Sequence, residues 1–148
     1  GVALAKQFDQ DWWAEEKANW QDYYRRRQRN LARIDQLQQR SLDSLDASEA
    51  QELALLLAEH HSVAHAKPVL ENLLSRSGER YPKPIYYYGR VLLDEGNPRG
   101  LEHLQEAYRL SPALGDDCAR AGYNWLCQHH SQEAADKWLA RFYAIHAD

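Results

Sequence analysis

The chain has 148 residues, a formal net charge of −4 and a pI near 6.0, with 44% hydrophobic and 27% charged residues. That balance suits a globular domain with a core of its own, and it excludes a wholly disordered chain or, with no apolar run near about 18 residues, a membrane span. Weak acidity gives no global attraction to nucleic acid, and two cysteines, Cys118 and Cys127, are too few for a disulfide framework, so a soluble domain in the reducing cytoplasm is expected.

No glycine or proline interrupts the chain between Val2 and Lys67. Within that stretch Trp13, Trp20, Tyr24, Leu31, Ile34 and Leu37 recur at helical spacing while Arg, Gln, Glu and Lys fill the other face, which predicts one long helix over about 8–40. Ser41 to Ser48 is turn-rich, and Ser48 followed by Gln51 and Glu52 resembles a helix N-cap. Beyond it the breakers divide the chain into pairs of short helices: 48–61 with 63–77, 83–95 with 98–110, and 112–129 with 132–146. Ser77-Gly78 closes the first pair, Glu95-Gly96-Asn97-Pro98 turns within the second, and Pro112 opens the third at a position that tolerates its missing N–H. Tyr86, Tyr87 and Tyr88 are good strand formers alone, but they lead into Val91, Leu92 and Leu93 at helical spacing, so no strand is expected.

The pairs repeat at 33 to 35 residues. Ala54, Gly89 and Gly122 align as a small residue in each first helix, with Leu57, Leu92 and Trp125 three positions later. Ala66, Leu101 and Ala134 align in the second helices, as do Leu70, Gln105 and Trp138. A small residue lets the paired helices approach closely, and each pair leaves an apolar face for the next pair to cover. On these positions residues 47–146 resemble the tetratricopeptide repeat (TPR) family, whose second-helix alanine falls on Ala66 and Ala134 and whose following proline falls on Pro112, with Gly78 as a poorer counterpart. Leu101 and Gln105 depart from the family pattern, and the second unit is one residue short. The expected fold is all-α: a long aromatic and arginine-rich helix in residues 1–45, then three TPR-like hairpins in 46–148, an α-solenoid. A plain antiparallel helical bundle is the alternative.

A helix carrying Trp12, Trp13, Trp20, Tyr23 and Tyr24 holds more aromatic surface than water tolerates, since burial of each ring is worth about 2–3 kcal/mol. It is expected to cap the first hairpin or lie along the array; the alternative is docking on a membrane surface or on another part of a longer protein. Residues 1–40 hold eight Lys/Arg against six Asp/Glu, and 41–148 hold ten against sixteen, so the two parts attract. Arg25, Arg26, Arg27 and Arg29 are interleaved with acidic and amide residues and read as a solvated helix face, not a nucleic-acid patch.

Little in the sequence points to catalysis or to a cofactor. His61 and His65 lie four apart, yet the string His-Glu-x-x-His is absent and Ser62 falls in a turn expected to splay the imidazoles. His129 and His130 occupy the corresponding turn of the third unit. Cys118 and Cys127 match small buried positions and are expected in the core. Phosphate loops, nucleophile elbows and dinucleotide fingerprints do not occur.

What the TPR resemblance implies instead is a concave groove formed by the first helices, lined by Gln51, Leu55 and Glu59, then Lys83, Tyr86, Arg90 and Asp94, then Ala119, Tyr123 and Leu126. Tyr86, Arg90 and Tyr123 are the expected anchors, because tyrosine and arginine combine broad contact with a directed polar group. The expected function is a non-catalytic scaffold that binds a peptide or partner helix, or another domain of the same parent chain. A chain without methionine that opens on Gly1 reads as a piece of a longer protein. A long Trp- and Arg-bearing helix followed by helical repeats also resembles the C-terminal region after the catalytic part of some bacterial membrane-bound zinc metallopeptidases. That resemblance implies a regulatory or substrate-recruiting tail.

Overall fold

The computed structural model describes residues 2–76 and 80–145. Among the described residues there are seven α-helices and no strand: α1 Val2–Gln38, α2 Ala47–His60, α3 Val63–Ser75, α4 Pro82–Asp94, α5 Gly100–Leu110, α6 Gly115–His129 and α7 Gln132–Ile145. Short 3₁₀ turns at Leu42–Ser44 and Pro112–Leu114 precede α2 and α6. The breaker Ser77-Gly78 and the predicted last helical residue, His146, lie outside the described residues.

Local chemistry sets the helix ends. Asp46, not Ser48, caps α2: its carboxylate accepts from the Glu49 amide at 2.8 Å and the Glu49 carboxylate accepts from the Asp46 amide at 3.1 Å, a reciprocal capping box. Ser62 caps α3 and the Ser131 hydroxyl accepts from the Ala134 amide at the start of α7. Gly96, at φ 80°, ends α4 in a Schellman turn, with its own amide on the Leu93 carbonyl and the Asn97 amide on that of Leu92.

Helices pair as hairpins α2/α3, α4/α5 and α6/α7, and each hairpin packs on its chain neighbour: α3 on α4 and α5 on α6, while α2, α4 and α6 touch in succession. Two apolar clusters result. One joins Ile34 and Leu37 of α1 to α2, α3 and Val91; the other joins Ile85 and Leu93 to α5, α6 and α7 around Trp125, Trp138 and Phe142. Opposite sides of α4 therefore serve both clusters, which is how the stack stays continuous.

The small positions mark where helices cross. Ala54 is fully buried, a β-carbon on Gly122 would lie 2.4 Å from the Trp138 ring, and one on Gly89 would lie 3.0 Å from the Gly100 carbonyl. On α5 the small residue at the crossing is thus Gly100, one position before Leu101, the departure from the pattern that aligned with Ala66 and Ala134 and that is only partly buried. The physical reason is the turn at 95–99, which brings α5 onto α4 at a different phase from the tight turns at 61–62 and 130–131.

The long helix departs furthest from expectation. Only its end packs: Ile34 and Leu37 are buried against α2, the Arg33 guanidinium donates twice to Glu52, at 3.0 and 2.9 Å, and Arg40 pairs with Glu49. These pairs carry the attraction between basic N-terminal and acidic C-terminal parts. Before Asn30, whose amide meets the His60 ring at 3.0 Å, α1 projects away from the stack with Trp13 66% and Trp20 57% exposed. It neither caps the first hairpin over its length nor lies along the array.

Candidate partner-binding surface

Aromatic and charged groups converge on α4 because residues four apart share a helix face. The Arg90 guanidinium lies 5.7 Å from the centre of the Tyr86 ring and 5.9 Å from that of Tyr87, and the two rings are 5.2 Å apart. Partial burial pushes both phenols above their ordinary value; Arg90 opposes the shift at Tyr86, and the Glu59 carboxylate adds to it at Tyr87. Asp117 of α6 acts on both rings in the same sense as burial.

Beside this cluster a cleft opens between α4 and α6, lined by Arg90, Leu93 and Asp94 from one helix and by Ala121, Asn124, Trp125, Gln128 and His129 from the other. Trp125 forms its floor. The indole N–H donates to the Leu93 carbonyl at 2.7 Å, sharing that acceptor with the Gly96 amide at the end of α4, and Trp125 is 7% exposed. His129 stacks on the same ring at 5.1 Å. No residue of α1 reaches this lining.

Of the residues expected to face a partner, Tyr86, Arg90 and Asp94 are brought together here. Glu59 is exposed on the last turn of α2 near Tyr87, Gln51 is partly buried further along α2, and Lys83 is exposed on the first turn of α4. Tyr123 sits elsewhere, on the side of α6 toward α7, where its hydroxyl accepts from Gln132 at 2.5 Å. Ala119 and Leu126 are buried, and the Ala119 carbonyl accepts from the Trp138 indole at 3.0 Å. The α6 residues that face α4 are Ala121, Asn124 and Gln128, with Asp117 one turn earlier. Their spacing of four, three and four puts them on one stripe of α6, a stripe that the expected set Ala119, Tyr123 and Leu126 missed.

The reactive residue types are disposed as follows. Cys118 is buried, and desolvation pushes its thiol up to about 12, which keeps it protonated. Cys127, expected in the core, is exposed, because nine residues along α6 put it on the face opposite the buried Cys118; its thiol lies 3.7 Å from Gln132. The His61 and His65 rings are not splayed: their centres are 5.7 Å apart, since Ser62 caps α3 while its hydroxyl meets the His65 ring at 2.6 Å. Among the described residues no third histidine, cysteine or carboxylate joins them. No helix among those residues is long and apolar enough to cross a membrane.

No protein-family model matches the chain, and no solved structure matches it. Among curated proteins, tuliposide A-converting enzymes b1 and b2, both amyloplastic and from Tulipa gesneriana, are each 31% identical over 91 residues, covering 49% of this chain and 24% of their own length. The chain thus spans about a quarter of the length of these relatives. A likeness so partial transfers neither their fold nor their conversion of tuliposide A to this chain.

Proposed function

We propose that this chain is a non-catalytic, TPR-like interaction module that receives a peptide or partner helix along the inner side of α2, α4 and α6. The observation that carries the reading is the cluster of Tyr86, Tyr87 and Arg90 beside the α4–α6 cleft. It joins a cation, two half-covered rings and a tryptophan-floored recess on a surface that no other part of the described chain covers. Interface anchors have this composition. Exposed carboxylates at Glu59, Asp94 and Asp117 outnumber the cations Arg90 and Lys83 around the cluster, so the favoured ligand carries lysine or arginine.

The test selects peptides from a random displayed library on the chain and measures their affinity for the protein and for Arg90→Ala. Arg90 is partly exposed at the edge of the cleft, so the variant is expected to keep its circular dichroism spectrum and melting curve. Binding is expected to weaken by at least about tenfold, as for loss of a central anchor. Selected peptides that bind Arg90→Ala as tightly as the parent chain refute the assignment.

A further inference from the structure

The part of α1 that leaves the stack carries an apolar face built to a rule. Trp13, Glu16, Trp20, Tyr23, Arg27 and Asn30 follow one another at alternating spacings of three and four, and the series runs without a break into Ile34 and Leu37, the two residues by which α1 is buried against α2. The spacing is that of heptad a and d positions, aromatic at Trp13, Trp20 and Tyr23 and polar at Glu16, Arg27 and Asn30, as on a helix that packs against another helix. The stack covers only its end. Phe8 and Trp12 extend the face, and six rings at roughly half exposure leave on the order of 600 Å² bare, more than monomers ordinarily show.

We propose that α1 pairs antiparallel with α1 of a second copy of this chain, about a two-fold axis between residues 21 and 22. Charge selects that occupant. Up to Asp22 α1 holds five carboxylates and two lysines, Lys6 and Lys17, and after it five arginines and one carboxylate, a balance of −3 against +4, so an antiparallel pair sets acidic halves on basic ones while a parallel pair sets like on like. The seam repeats the pattern at single residues. With the axis at 21–22, Trp20 meets the second copy's Tyr23, and Glu16 meets its Arg27. Two mutually inverted ion pairs inside an aromatic seam fix both register and direction. The overlap, residues 13–30, spans about 27 Å and stops where α2 takes over the seam. Four of these rings, Trp13, Trp20, Tyr23 and Tyr24, fall inside the overlap, so the two faces together supply on the order of 800 Å², the size of a weak, reversible contact. A lipid surface suits the same face poorly, because Glu16 stands in its middle. The pairing is independent of the cleft between α4 and α6.

The experiment is sedimentation equilibrium on the chain, with circular dichroism to verify helicity in every variant. At about 100 µM the parent is expected to be a dimer that dissociates on dilution. E16R and R27E, each of which opposes like charges twice, are expected to weaken it about 100-fold. Mixing the two single variants restores every ion pair, and so does the double variant E16R/R27E; both are expected to dimerise again. A parent chain that stays monomeric overturns the proposal, including one whose tryptophan emission shifts only on adding phosphatidylserine vesicles. So does a dimer indifferent to E16R and R27E, or one that the mixture fails to restore.

Discussion

Tryptophan occupies opposite situations in the two regions of this chain. In the hairpins, Trp125 and Trp138 are each 7% exposed, and each indole N–H reaches a backbone carbonyl, on Leu93 and Ala119. On the projecting part of α1, Trp12, Trp13 and Trp20 are 46%, 66% and 57% exposed. Both regions show helical periodicity, weaker along α1 than in the hairpins. Periodicity therefore identifies which face of a helix is apolar, whereas cover depends on whether a neighbouring segment of the same chain is long enough to reach it. The hairpin helices have partners of matching length; α2 is 14 residues and α1 is 37, so most of α1 outruns it.

The contrast predicts where substitutions act. Phe142→Ala should have the largest effect, a loss of about 3–5 kcal/mol in urea unfolding, because its ring is fully buried between Tyr108 and Trp138. Gly100→Ala should follow at about 1–3 kcal/mol: the added carbon would lie 2.4 Å from the Gly89 carbonyl, and α4 and α5 must part to admit it.

Asp46→Ala removes one half of the capping box and should cost about 1 kcal/mol. The other half makes the same cap sensitive to acid. The Asp46 amide and the Arg40 guanidinium hold the Glu49 carboxyl below its ordinary 4.5, so its contribution is complete above that value and is lost as pH falls through the lower, folded-state one. Acid unfolding of Glu49→Gln should accordingly be less steep there than that of the parent. Trp20→Ala should have the smallest effect on the stack, within about 0.5 kcal/mol in dilute protein, since the side chain is 57% exposed and stacks on Tyr23 and Tyr24 of its own helix. A large loss there would show that α1 supports the hairpins, and the contrast between the regions would fail.

Much of the stack was legible because its signals are local. The helical boundaries fell within a few residues, as Gly96, Pro112 and the apolar periodicity act on the backbone where they stand. The small positions Gly89 and Gly122 were legible too, since only glycine admits the contacts seen there. The misplaced features depend on helix phase and on cover. Asp46 outcompetes Ser48 as cap because the 3₁₀ turn at Leu42–Ser44 hands the chain to α2 earlier. A similar turn at Pro112–Leu114 sets the phase of α6, turning Tyr123 toward α7 and Asn124 and Gln128 toward α4. Exposure of Cys127 reflects its place on the face opposite Cys118, and that of the α1 rings reflects how far the covering helix extends, which residue type does not encode. Within the candidate surface, Tyr86, Arg90 and Asp94 were legible from spacing on one helix; Asp117 and the α6 side of the cleft required the packing of two.

At the crossing of Gly89 and Gly100 the main chains of α4 and α5 come into direct contact, whereas α6 and α7 meet through the Trp138 ring laid on Gly122. Backbone pressed on backbone has no rotamer to exchange. This contact makes the central hairpin the most tightly joined of the three pairs, so a change of curvature along the stack falls to the joints on either side of it. Arg90, next in chain to Gly89, rides on the stiffest piece.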